Sequence, residues 1–130
     1  MGAGSRLELM LVAGGTRNIR ITVSQECFAL LADAMCEFSK STGRFQSLRS
    51  TVQHACARAK GLEIAREEVE KFISGLPLEG SISIWLEVKP DWIEDYDAVR
   101  HRIAETCGRV MHDRVVIAFV VWLVRTNKLL

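Results

Sequence analysis

No apolar run in this 130-residue sequence approaches the roughly 20 residues that a membrane-spanning helix needs. The longest, Val115 to Val124, is about half that length and reads as a buried helix. The start of the chain carries no charged leader with an apolar stretch and a small-residue cleavage site, so secretion is not expected and a cytoplasmic protein is. Cys27, Cys36, Cys56 and Cys107 form no C-x-x-C pair, which excludes the usual zinc spacing and a dense disulfide framework. Reduced thiols are expected, as suits the cytoplasm. His54, His101 and His112 share no ligand spacing with them, so no metal site is expected. Gly14-Gly15-Thr16 lacks the rest of a phosphate-cradling loop and precedes a strand. Cys27 sits where a helix dipole would lower its pKa, yet no base is identifiable near it. Neither an enzyme nor a cofactor is expected.

Excess charge is also lacking, since the net value is only +1. Its distribution says more. Residues 1 to 62 hold eight Lys or Arg against four Asp or Glu, and residues 63 to 80 hold two against five. The remainder is balanced, so positive charge gathers on the first part and an acidic segment follows, expected to face away from any polyanion. Glu67, Glu68 and Glu70 read as a solvated face with no evident basic partner in sequence.

What is present is a short module that occurs twice. Arg17 to Val23 alternates Ile19, Ile21 and Val23 with Asn18, Arg20 and Thr22; Ser81 to Glu87 alternates Ile82, Ile84 and Leu86 with Ser81, Ser83 and Trp85. Each reads as a strand with one apolar and one polar face. Two helices follow each strand. Ser24 is placed to cap the first, with Phe28, Leu31, Met35 and Phe38 as its core stripe and Gly43 as its stop. Ser47 to Lys60 reads as the second, turning Leu48, Val52, Ala55 and Cys56 inward. In the other copy Pro90 suits a first helical turn, Trp92, Ile93, Tyr96, Val99 and Ile103 supply the apolar face, and Gly108 closes the helix. Asp113 or His112 is expected to cap the last helix, apolar on nearly all sides and so central to the core.

Ile19 and Ile82 are 63 residues apart, whereas Gly43-Arg44 and Gly108-Arg109, like Arg49 and Arg114, are 65 apart. Two extra residues in the first helix of the second copy would reconcile the offsets. Met1 to Ser5 reads as a cloning remnant and residues 1–16 as a flexible lead-in. Residues 17–130 are expected to form one domain from copies 17–60 and 81–130, joined by a helical connector, 61–80, whose short helix spans Ile64 to Ile73. Two strands of this length must pair, and an antiparallel ribbon packed on helices gives an α+β, mostly helical fold.

A polar-faced strand followed by two helices around a Gly-Arg turn resembles the ribbon-helix-helix DNA-binding proteins of the Arc and MetJ type. In that family two chains pair their strands and the ribbon enters the major groove. Here the resemblance implies a tandem pseudo-dimer in one chain, monomeric in solution or assembling side by side on duplex DNA. Asn18, Arg20, Thr22, Ser81, Ser83 and Trp85 would face bases. Arg44, Ser47, Arg49, Arg109, His112 and Arg114 would meet phosphates around the helix N-termini. Trp85 departs from the small or hydrogen-bonding residues usual in the ribbon, and Glu87 puts negative charge near the same face. The tandem form with a helical connector is also similar to virulence proteins of T-DNA transfer, which implies border or enhancer binding beside a relaxase complex and a ParA-like ATPase. The pattern equally fits a plasmid or phage repressor of the same fold, an antitoxin-like adaptor, or an amphipathic ribbon whose polar side faces water.

Overall fold

A computed structural model describes residues 16–130 of the chain. The lead-in expected for residues 1–16 lies, Thr16 apart, outside the described residues. The elements run β1 (Arg17–Val23), α1 (Gln25–Thr42), α2 (Leu48–Ala59), α3 (Arg66–Gly75), β2 (Ile82–Val88), α4 (Ile93–Cys107) and α5 (Asp113–Thr126). The α+β, mostly helical character is as expected. β1 and β2 pair antiparallel, from Arg17↔Val88 through Arg20↔Trp85 to Val23↔Ile82. Ile19, Ile21, Val23, Leu86 and Val88 are buried on the inner face of this ribbon, whereas Ile82 and Ile84 are half-buried.

The order strand, helix, helix occurs twice, and several boundaries share one offset. Arg17 and Ile82 begin the strands, Gly43 and Gly108 end the first helices, and Leu48 and Asp113 begin the second, each pair 65 residues apart. Both glycines take the left-handed conformation, φ 72° and 70°, that ends a helix without Cβ strain. The expectation of two extra residues in α4 is therefore corrected: α4 has 15 residues to the 18 of α1. Matching isoleucine to isoleucine misaligned the strands by two, a slip that preserves every inward and outward position because the strand period is two. The second strand accordingly runs Ile82–Val88, with Ser81 just before it.

Capping follows the sequence in part. Ser24 Oγ accepts from the Cys27 amide at 2.9 Å and donates to the Pro77 carbonyl at 2.5 Å, while the Ser24 amide donates to Leu78 O at 2.8 Å. One residue thus starts α1 and clasps the end of the connector. Ser47 and Ser50 bond reciprocally, each side chain to the other's amide at 3.0 Å, as a capping box for α2. His112 takes the N-cap position of α5, but its side chain makes no cap hydrogen bond. The Asp113 carboxylate instead accepts from the hydroxyl of fully buried Tyr96 and pairs with Arg100 at 3.3 Å. Burial, and then that bond to Asp113, raise the Tyr96 pKa and keep the phenol protonated as donor. Pro90 lies in a turn three residues ahead of α4, where the chain leaving β2 must bend before Ile93. The connector helix starts at Arg66, two residues later than expected.

α5 is the centre of the molecule. Val116 to Val121, Leu123 and Val124 are buried, and full burial of such a side chain contributes about 1.5–3 kcal/mol. Phe72 of α3 meets Phe119 at 5.6 Å and Trp122 at 5.2 Å between ring centroids, joining the connector to the core. The stripe of α1 differs from expectation by about one residue. Leu31 and Phe38 are buried with Cys27, Leu30 and Ala34, whereas Met35 is half-buried and Phe28 is 45% exposed. Arg102 of α4 donates to the carbonyls of Ala59 at 3.1 Å and Leu62 at 2.5 Å, answering the open end of α2.

All four cysteines are free, three buried and Cys36 exposed. Burial pushes the Cys27 thiol up to about 11, outweighing the pull of Arg114, and Cys56 up to about 12. The lowered pKa that the helix dipole suggested for Cys27 is thus corrected. An aromatic disulfide reagent at neutral pH should titrate one thiol in the native protein and four after denaturation; more than one fast native thiol would contradict this packing.

Candidate nucleic-acid interface

The outward face of the ribbon follows from the strand period. With the isoleucines inward, the pairs Asn18↔Glu87, Arg20↔Trp85 and Thr22↔Ser83 all point outward. Thr22 is half-buried; the other five are exposed. Trp85 is both the ladder partner of Arg20 and the residue 65 positions further on. The Arg20 guanidinium lies 5.5 Å from the centre of the Trp85 ring and donates to Ser83 Oγ at 3.3 Å. At 68% exposure Trp85 is a surface residue. Ser81 is exposed but lies beyond the ladder, so Glu87, not Ser81, completes the outward set.

α2 abuts β2, and α5 abuts β1. The N-terminus of α5 and β1 enclose a polar cleft of about 320 Å³ lined by Arg20, Thr22, His112, Asp113 and Arg114. The N-terminus of α2 and β2 enclose its counterpart, about 280 Å³, lined by Ser47, Arg49, Trp85 and Glu87. Helix N-termini offer free amides and positive potential to an anion. The two clefts hold their arginines differently. Arg114 is anchored to β1, with Nε donating to Thr22 O at 2.7 Å and Nη1 lying 3.8 Å from Glu79. Arg49 is held less firmly, 3.3 Å from Glu87. His112 is exposed, and its side chain caps nothing.

The Gly-Arg turns diverge as well. Arg109 is locked to Glu70 by two hydrogen bonds, 2.6 and 3.1 Å, which hold that carboxylate below its ordinary pKa. Glu70, read from sequence as unpartnered, is therefore corrected: α3 brings it against the turn after α4. The Arg44 side chain has no hydrogen bond or ion pair among the described residues. The following residues, Phe45 and Val110, are also equivalent by the offset and are 102% and 84% exposed. Sequence reading missed both; two apolar residues beside equivalent Gly-Arg turns were the available signal. Among the described residues no three His, Cys, Asp or Glu side chains gather to hold a metal, and no helix is long and apolar enough to cross a membrane.

Comparison with protein families, with curated proteins and with solved structures finds no match for this chain.

Proposed function

We propose that the chain is a tandem ribbon-helix-helix module that binds duplex DNA through β1 and β2 in the major groove. The observation that carries this reading is the polar outward face of a two-stranded ribbon, centred on Arg20 and Trp85 and flanked on both sides by a helix N-terminus. A ribbon of two strands fits the major groove. The two copies share one offset but carry different residues: Asn18, Arg20 and Thr22 stand opposite Glu87, Trp85 and Ser83. An asymmetric site follows, with Arg20 as its principal base reader and Trp85 against a thymine methyl or sugar. Arg44 is the cation best placed for phosphate, because Arg109 and Arg114 are engaged within the protein and Arg49 is paired with Glu87. Binding needs no cofactor and no catalytic step. The resemblance to T-DNA-transfer proteins supplies the cellular context: a cytoplasmic accessory at a border or enhancer, beside a relaxase complex and a ParA-like ATPase.

The test is fluorescence anisotropy of a labelled duplex carrying a T-DNA border and enhancer across a range of salt. Two to four neutralised phosphates give a slope of roughly −2 to −4 in log affinity against log salt. Absence of binding at low salt would overturn the DNA reading.

A further inference from the structure

A large groove among the described residues lies away from the ribbon. It has a volume of about 1180 Å³ and runs between α1 and α3, closed below by α5. Leu30, Phe72, Leu76 and Trp122 form its apolar floor, and the small residues Ala29 and Ala65 keep its walls low. Trp122 is eight residues along α5 from Arg114, which touches β1, so the groove sits about 12 Å further down that helix.

Its rim is acidic. Glu26, Asp33, Glu67 and Glu68 line it, and none has a cationic partner within 4.0 Å among the described residues. Of the two cations that also line it, Arg125 is held by Glu37 at 2.7 Å, leaving Lys71 alone against four carboxylates. Glu26, Glu67 and Glu68 stand in first helical turns, where the dipole favours them. Asp33 stands in the middle of α1 and gains nothing from it.

We propose that this groove is a docking site for a basic amphipathic helix of a partner protein. Both walls are helices and neither strand borders the groove, so an extended segment would find no sheet edge to join there. A helix would instead lay apolar residues on Phe72 and Trp122 and set Lys or Arg against the four rim carboxylates. Such pairing selects the partner by charge as well as by shape. The site is independent of the DNA reading, and a polyanion is repelled from it.

The experiment uses the full chain, ¹⁵N-labelled, and a synthetic helix with leucines at i, i+3, i+4 and i+7 and lysines on the flanking positions. Saturable binding with the Trp122 indole signal shifted and that of Trp85 unmoved is the expected result. Asp33→Lys with Glu67→Lys, both at exposed positions, should weaken binding at least tenfold while circular dichroism stays unchanged. The same helix with glutamate for lysine should not bind. No saturation, equal binding of the acidic peptide, or a shift at Trp85 alone would overturn the proposal. So would concentration-dependent dimerisation of the free chain that buries Trp122, which would assign the groove to a second copy.

Discussion

Arg20→Ala is expected to weaken binding to a specific duplex about 5- to 150-fold, the equivalent of losing the roughly 1–3 kcal/mol of one bidentate base contact. Arg20 occupies the centre of the ribbon, and no acid among the described residues pairs with it within 4.0 Å. Its guanidinium lies by the Trp85 ring at 5.5 Å and bonds Ser83. Stacking of this kind holds a planar donor fork in place, so less freedom is lost when two bonds form on one guanine edge. Arg20→Lys keeps the charge and loses the fork; it should retain the salt slope but discriminate less between bases. Arg44→Ala should weaken binding on every sequence alike and reduce the salt slope by about one. Competition anisotropy with single base-pair changes separates these results. An Arg20→Ala variant with wild-type affinity and selectivity would remove the ribbon from recognition. Because both side chains are exposed, their mutual attraction is worth about 0.5–1 kcal/mol and thermal stability should hardly move.

The second large effect is on folding. A Cβ placed on Gly80 lies 2.4 Å from Ser24 Cα and from Val23 O, and 2.6 Å from Ser24 N. These are backbone atoms at the junction of β1 and α1, fixed by the ladder on one side and by a helix on the other. Gly80→Ala must therefore push the end of the connector off Ser24, straining the bonds to Pro77 and Leu78. The expected loss is near the upper end of the about 1–3 kcal/mol typical of overpacking. Gly75 closes α3, and a methyl group there would meet no atom within 4 Å; alanine at this position should be neutral or stabilise by up to about 1 kcal/mol. Urea unfolding of both variants checks the contrast, and equal midpoints would show that the connector is not seated on that junction.

Both strands were legible because a two-residue alternation is a local code: Ile19, Ile21 and Val23 turn inward whatever they meet. The central helix was legible for a similar reason, since Val115 to Val124 leaves no polar face to expose. Ser24, Ser47, Gly43 and Gly108 act through bonds and dihedrals within a few residues, and each took its expected place. The α1 stripe was misplaced by about one residue. Phe28 and Leu31 share the spacing of a helical face, but α5 and the ribbon cover the side that carries Cys27, Leu30 and Ala34. Of the site, the six outward ribbon positions were legible except that Glu87 takes the place given to Ser81. The state of the arginines was not. Arg44 and Arg109 follow equivalent glycines, yet one is free of ion pairs among the described residues and the other is locked to Glu70, 39 residues away.

By itself the sequence determined the elements, their order and the two faces of each strand, because periodicity, capping and glycine dihedrals act over distances shorter than one helix. Tertiary structure alone decided the rest: the ladder register that sets Arg20 against Trp85, the crossed seating of α2 on β2 and α5 on β1, and which charges neutralise one another. Those outcomes depend on pairs far apart in the chain. A Coulomb or stacking interaction acts over a few ångströms of space, and only packing of the shared core brings such residues that close.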